Sequence, residues 1–163
     1  EKSLLIGKAL KILADKAGIY GMVGGQVVDV ASCGIGLDEG MLNFIYELKT
    51  GALIESSMMI GALLAGADEA ELEKVQKIAS DVGIAFQIQD DILDVTSTTE
   101  ELGKPVHSDE KNEKTTYVTL KGLEKATADV EAVSQEALEL LSGLDRENAY
   151  LTQLIQELIH RKK

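Results

Sequence analysis

The sequence predicts an all-α protein, and three observations carry that reading. The 163 residues include a single proline, only 4% aromatic side chains and many Ala, Leu, Glu and Lys, residues of high helix propensity. Apolar positions recur at helical spacing over most of the length. The punctuation between periodic stretches is glycine or aspartate, which end and start helices. Hydrophobic residues make up 45% of the chain, enough for one substantial core, so residues 1–163 read as a single all-α unit.

The elements follow in order. Residues 3–16 are amphipathic, with Leu4, Leu5, Ala9, Ile12 and Leu13 as the expected inner face. Gly18 and Gly21 interrupt, and a second helix is expected over 19–32, ending near Gly34 and Gly36. Asp38 is placed to cap a long helix over 39–64 with a weak point at Thr50-Gly51, closed by Gly66. Asp68 is placed to cap the next helix, which runs to about Val95. Residues 96–114 are polar, contain Gly103 and Pro105, and read as a long loop; loops beyond about 12–15 residues are usually functional or disordered. Two last helices are expected over 116–141 and 147–160. No internal repeat or low-complexity segment is evident.

Composition narrows the function. The formal net charge is -12, from 16 basic and 28 acidic residues, which disfavours nucleic acid and anionic membranes as partners. An anionic substrate stays possible, because cations can be concentrated locally. Cys33 is the single cysteine, so no intrachain disulfide forms; a reducing, cytoplasmic compartment is expected, with Cys33 as a small packing residue. No secretory signal is visible. The longest apolar run, residues 56–67, is too short to span a bilayer, which needs roughly 20. His107 and His160 are isolated and read as surface residues.

The chemistry concentrates in Phe86-Gln87-Ile88-Gln89-Asp90-Asp91-Ile92-Leu93-Asp94. On a helix Asp90, Asp91 and Asp94 share one face, with Gln87 on the same stripe, while Ile84, Ile88, Ile92 and Leu93 occupy the rest. Acidic clusters are commonly solvated helix faces, but here isoleucine flanks the aspartates. Buried carboxylates are costly, and adjacent ones repel. A divalent cation removes both problems, and hard oxygen ligands without His or Cys point to Mg²⁺.

Three further constellations are weaker. Gly24-Gly25-Gln26-Val27-Val28-Asp29 puts Gln26 and Asp29 three apart on a glycine-rich helix; close helix packing is the simpler reading. Lys49 shares a stripe with Leu42, Ile45, Ala52, Leu53 and Ser56. It is either a snorkelling lysine at a kink or a buried ammonium needing an anion, and Thr50-Gly51 can expose a backbone carbonyl there. The loop carries Lys104, Asp109, Lys111 and Lys114, point charges suited to phosphate if the loop lies near the cation site, and otherwise ordinary solvated residues.

The motifs as a set resemble a known family. Gly-Met-Val-Gly-Gly-Gln-x-x-Asp at 21–29, Leu-Lys-Thr-Gly-Ala-Leu at 48–53, Phe-Gln-x-x-Asp-Asp-x-x-Asp at 86–94, Gly-Lys at 103–104, Asp109 and Lys-Thr-Thr-Tyr at 114–117 are similar in order and spacing to the C-terminal half of trans-isoprenyl diphosphate synthases. Bacterial farnesyl diphosphate synthases, the geranyltranstransferases, are the nearest subgroup. The resemblance covers about residues 3–160. Val118 and Pro105 depart from the usual pattern without touching a proposed ligand. The family's earlier aspartate-rich motif and its Gly-Lys-Arg segment do not occur here, so the chain reads as a fragment with a partial isoprenoid-synthase bundle, inactive alone.

The resemblance implies prenyl transfer between an allylic diphosphate and isopentenyl diphosphate, with Mg²⁺ as cofactor and a homodimer as the assembly. It assigns Asp90 and Asp94 to the metal, with Asp91 in support. Lys49, Lys104 and Lys114 would contact the allylic diphosphate. Thr50 and Gln87 would face the developing carbocation, Phe86 would pack beside isopentenyl diphosphate, and Gln26 would line the cavity. A class I terpene cyclase is an alternative, though its second metal motif usually mixes Asn, Ser or Thr with Glu. A non-catalytic helical subunit of a heteromeric synthase is another, though such subunits often lose the metal motif.

Overall fold

The computed structural model describes residues 2–98, 114–146, 148–159 and 161. The described residues are helical, without strands: α1 (Lys2–Ala17), α2 (Met22–Ala31), α3 (Glu39–Tyr46), a π turn (Glu47–Gly51), α4 (Ala52–Leu64), α5 (Glu69–Thr96), α6 (Tyr117–Lys121), α7 (Leu123–Ser142) and α8 (Ala149–Ile159). No described helix is long and apolar enough to cross a membrane. Lys104, His107, Asp109, Lys111 and His160 lie outside the described residues.

The central strut is α5, 28 residues, about 42 Å at the α-helical rise. It packs against α4 on one side and α7 on the other, and also meets the π turn, α3, α6 and α8. Ile78, Val82, Ala85 and Ile88 of α5 join Leu42, Ile45, Val130, Ala137, Leu141 and Ile155 in one buried cluster. Its start is fixed by a capping box: the Glu71 N–H donates to Asp68 Oδ1 at 2.9 Å, and Glu71 Oε2 accepts from the Asp68 N–H at 3.3 Å. Such a cap is worth about 1 kcal/mol. Asp38 caps α3, accepting from the Met41 N–H at 2.8 Å. Residues 39–64 therefore form one rod, and the expected weak point is real: it is the π turn.

Four expectations need correction. First, no residue of α1 is buried. Leu5, Ala9 and Ile12 turn partly inward, but Leu4 is 68% and Leu13 45% exposed. A helix packed mainly against one neighbour, α4, buries only a narrow stripe. Second, α2 starts at Met22 rather than residue 19, because residues 18–21 form a turn in which the Gly21 N–H donates to the Gly18 carbonyl at 3.0 Å. Third, residues 116–141 are two helices, not one. Gly122 has φ +82°, a left-handed conformation that glycine adopts without steric cost. Fourth, Cys33 is exposed, not a packing residue, because it follows the last turn of α2.

Candidate active site

The π turn places the first two functional side chains. A π turn holds one extra residue, so it swings side chains away from the regular helical stripe, and such turns are frequent at functional sites. Two glycines let neighbouring backbones close on it. A Cβ on Gly25 of α2 would lie 2.4 Å from the Lys49 nitrogen, and one on Gly83 of α5 would lie 2.8 Å from the Gly51 Cα. With α2 and α5 this close, Lys49 and Thr50 sit in the crevice between them.

A small cleft of about 110 Å³ opens there. Asp29, Lys49, Gln87, Asp90, Asp91 and Lys114 line it, with Cys33 and Tyr46. Lys49 Nζ donates to Asp29 Oδ2 at 2.7 Å. Lys114 Nζ reaches the same carboxylate at 3.3 and 3.5 Å. Burial alone would raise the Asp29 carboxyl, but hydrogen bonding and attraction from Lys49, and then Lys114, outweigh it and hold it below its ordinary 3.8. One carboxylate thus serves two ammonium groups, leaving the trio with net positive charge.

The segment 114–117 is pinned along its length. Thr115 Oγ1 accepts from the Leu37 N–H at 3.1 Å, and Thr116 caps α6, accepting from the Thr119 N–H at 3.2 Å. The Tyr117 N–H donates to Asp91 Oδ2 at 2.7 Å. The Tyr46 hydroxyl donates to that same Asp91 oxygen. The Tyr117 phenol is pushed up to about 12, first by burial and then by its bond to Asp129, so it stays protonated at neutral pH.

The acidic cluster divides. On a helix successive side chains differ by about 100°, and here that separates roles. Asp90 is partly exposed on the cleft and pairs with Arg161 Nη2 at 3.0 Å. Asp91 is buried and turned toward Tyr46 and α6. Asp94 is 3% exposed and is not among the cleft-lining residues. Among the described residues no three of His, Cys, Asp and Glu converge as a metal-holding group.

The remaining residues fall as follows. Thr50 Oγ1 donates to Gln87 Oε1 at 3.1 Å, joining the π turn to α5. Phe86 lies under the Arg161 guanidinium, whose carbon is 3.7 Å from the ring centroid. Gln26 is partly buried one turn before Asp29 and does not line the cleft. Sequence reasoning did not single out Asp29 as the shared counter-ion, nor Tyr46 or Arg161. Asp29 had a signal, its place three residues after Gln26; the other two had none.

A model described as polyprenyl synthetase matches residues 5–158. The chain belongs to that family. Among curated relatives, a geranylfarnesyl diphosphate synthase, chloroplastic, from Leucosceptrum canum is 42% identical over 96% of this chain and 45% of its own length. Geranylgeranyl pyrophosphate synthase 11, chloroplastic, from Arabidopsis thaliana is 43% identical over 87% of this chain and 41% of its own. Among solved structures, a geranyltransferase from Helicobacter pylori complexed with magnesium and isoprenyl diphosphate superposes with a TM-score of 0.81 at 34% identity, over 96% of this chain and 52% of that one. The chain spans about half the length of these relatives. The all-α polyprenyl synthetase fold, as a partial bundle, is what the described helices form.

Proposed function

We propose that this chain supplies the diphosphate-binding side of a trans-prenyltransferase. The observation that carries the reading is the cleft itself: Lys49 and Lys114 converge on one wall with Asp90 on another. Two ammonium groups sharing one carboxylate suit a ligand with more than one negative charge. An incoming diphosphate takes over the two lysines, and Asp29 remains behind them as the group that holds their positions. Lys104 is assigned the same role from its motif.

The donor chemistry of the cleft fits Mg²⁺. Its carboxylates are hard oxygen donors with no histidine among the described lining residues, and Mg²⁺ typically takes one or two protein carboxylates plus substrate phosphates. Asp90 would hold it, with Asp94 and Asp91 in support. When bound, Mg²⁺ neutralises charge on the departing diphosphate.

The chain's own residues do the rest. Lys49 and Lys114 stabilise the diphosphate as the allylic C–O bond breaks and its electron pair leaves with oxygen. The double bond of isopentenyl diphosphate then attacks the allylic cation, and loss of a proton restores a double bond. Thr50 and Gln87 present oxygens toward that cation. From their motifs, Phe86 is assigned to pack beside isopentenyl diphosphate and Gln26 to line the cavity, and an apolar, closed chamber excludes water. The relatives' names range from geranyltransferase to geranylfarnesyl diphosphate synthase, and the proposal is limited to the reaction they share. A homodimer is proposed as well, supported by the exposed apolar side chains of α1 and α2, among them Leu10, Val23 and Val27.

The test follows transfer of labelled isopentenyl diphosphate onto an allylic diphosphate. The full-length enzyme that contains these residues is expected to form product only with a divalent cation, and the 163-residue chain to form none. Steady product from the clean 163-residue chain would overturn the division of the site between two halves. Absence of product from the full-length enzyme with Mg²⁺ would overturn the activity.

A further inference from the structure

Arg161 is a strongly anchored arginine. Its side chain is 16% exposed. Nη2 lies 3.0 Å from Asp90 Oδ1 and 3.5 Å from the Phe86 carbonyl, and its guanidinium carbon stands 3.7 Å over the Phe86 ring. Its own carbonyl accepts from Gln89 Nε2 at 3.5 Å. One turn of α5 therefore grips it from both ends. The chain's other arginine, Arg146, is exposed and spends its contact on the Ala65 carbonyl far from the cleft.

The position matters because Asp90 is the carboxylate of its cluster that remains 37% exposed on the cleft. A carboxylate facing a guanidinium at contact distance is already neutralised. A divalent cation arriving on the same group meets repulsion from the guanidinium a few ångströms away, so one cation must give way. The Phe86 ring and carbonyl give the displaced guanidinium somewhere to remain, since an aromatic face attracts it without competing for Asp90.

We propose that Arg161 is the resident counter-ion of Asp90 and sets the affinity of that carboxylate for a divalent cation. It is a positioning residue: it acts through Asp90. The proposal rests on the reading of Asp90 as a cation ligand. Cation binding and release of Arg161 from Asp90 are then one exchange, with the guanidinium retained on the Phe86 ring.

The experiment measures Mn²⁺ binding to the 163-residue chain by electron paramagnetic resonance, with Mg²⁺ as competitor. Arg161→Gln is expected to bind Mn²⁺ roughly three- to tenfold more tightly, the strength of a half-buried ion pair, while Arg161→Lys, which keeps the charge, stays near the unaltered chain. A side-chain ¹⁵N signal from Arg161 should shift as Mn²⁺-free chain is titrated with Mg²⁺. Unchanged or weaker binding in Arg161→Gln overturns the proposal even if Asp90 binds metal. Equal Mn²⁺ binding in Asp90→Asn, or none in any variant, overturns the reading of Asp90 as a ligand and the proposal with it. Loss of structure would weaken binding in every Arg161 variant, so a gain in affinity has no such explanation.

Discussion

Two clusters of acidic side chains, one at the middle of α5 and one at the cleft that its later turns share with α2, are satisfied differently. In the middle of the helix, Asp81 pairs with Lys77 one turn earlier at 2.5 and 2.7 Å, and Lys77 also reaches Glu136 at 3.2 Å. These partners lie on the same helix or on α7, packed beside it. At the other end, Asp91 bonds Tyr46 and Tyr117, Asp90 bonds Arg161, and nearby Asp29 gathers Lys49 and Lys114. Every one of those contacts joins separate elements. The middle group is satisfied by helix geometry and helix packing, and its lysine is half exposed. The cleft group requires the π turn, the two close glycines and the pinned 114–117 segment all to be in place. A polar network that costs this much architecture is the one to associate with binding.

The largest effect should separate the two groups in catalysis. In the full-length enzyme, Lys49→Ala or Asp90→Ala should lower turnover by about 10²–10³, the worth of a positioned electrostatic contact. Asp81→Asn should leave turnover within a few-fold. Similar losses in Asp81→Asn and Asp90→Ala would erase the distinction.

Packing gives the next effect. Gly83→Ala puts a Cβ 2.8 Å from the Gly51 Cα, backbone that cannot move without opening the π turn. Denaturant titration should show a loss of about 1–3 kcal/mol, typical of overpacking. Ile78, fully buried in the same helix, should cost 2–5 kcal/mol on truncation to Ala, but without the change in cleft geometry that Gly83→Ala brings. Unaltered stability in Gly83→Ala would show that the close approach is not required.

The pH dependence should also differ in sign. Asp81 is raised above 3.8, by burial first, with Lys77 opposing. Asp29 is lowered, because Lys49 and Lys114 outweigh its burial. A carboxyl raised on folding favours the fold below its unfolded pKa and loses that contribution as pH rises through the folded value. A carboxyl lowered on folding contributes above its unfolded pKa and loses it as pH falls through the folded value. Carboxyl-carbon magnetic resonance on acidification from neutral pH should therefore find Asp81 protonating before Asp29, and the reverse order would contradict the shared-counter-ion geometry. The smallest effect is expected at Asp68→Ala, about 1 kcal/mol from losing the α5 cap, with no change in the cleft.

Much of this was legible from local pattern. Asp38 and Asp68 as caps, the weak point at Thr50-Gly51, and the apolar faces around Ile78 and Ile88 depend on neighbours three or four residues away. The motifs that carried the family resemblance also brought Lys49, Thr50, Gln87 and Asp90 into one reading, and the first three meet at the π turn and its contact with α5. What was not legible depends on distance along the chain. Arg161 and Asp90 are 71 residues apart, and Lys114 and Asp29 are 85 apart, so no periodicity links them. The inner face of α1 was over-read because amphipathic spacing reports which residues could be buried, not whether a second neighbour is present to bury them. The resemblance set Asp91 behind Asp90, but the partners that hold it, Tyr46 and the Tyr117 N–H, come from distant parts of the chain and carry no sequence signal.

The central claim is that Lys49 and Lys114 form a diphosphate site held ready by Asp29. Titration calorimetry of the 163-residue chain with inorganic diphosphate, with and without Mg²⁺, tests it most directly. Binding that strengthens with Mg²⁺ and falls about tenfold or more in Lys49→Ala, the loss of one charge-assisted hydrogen bond, is the predicted result. Equal affinity in the chain and in Lys49→Ala would contradict it.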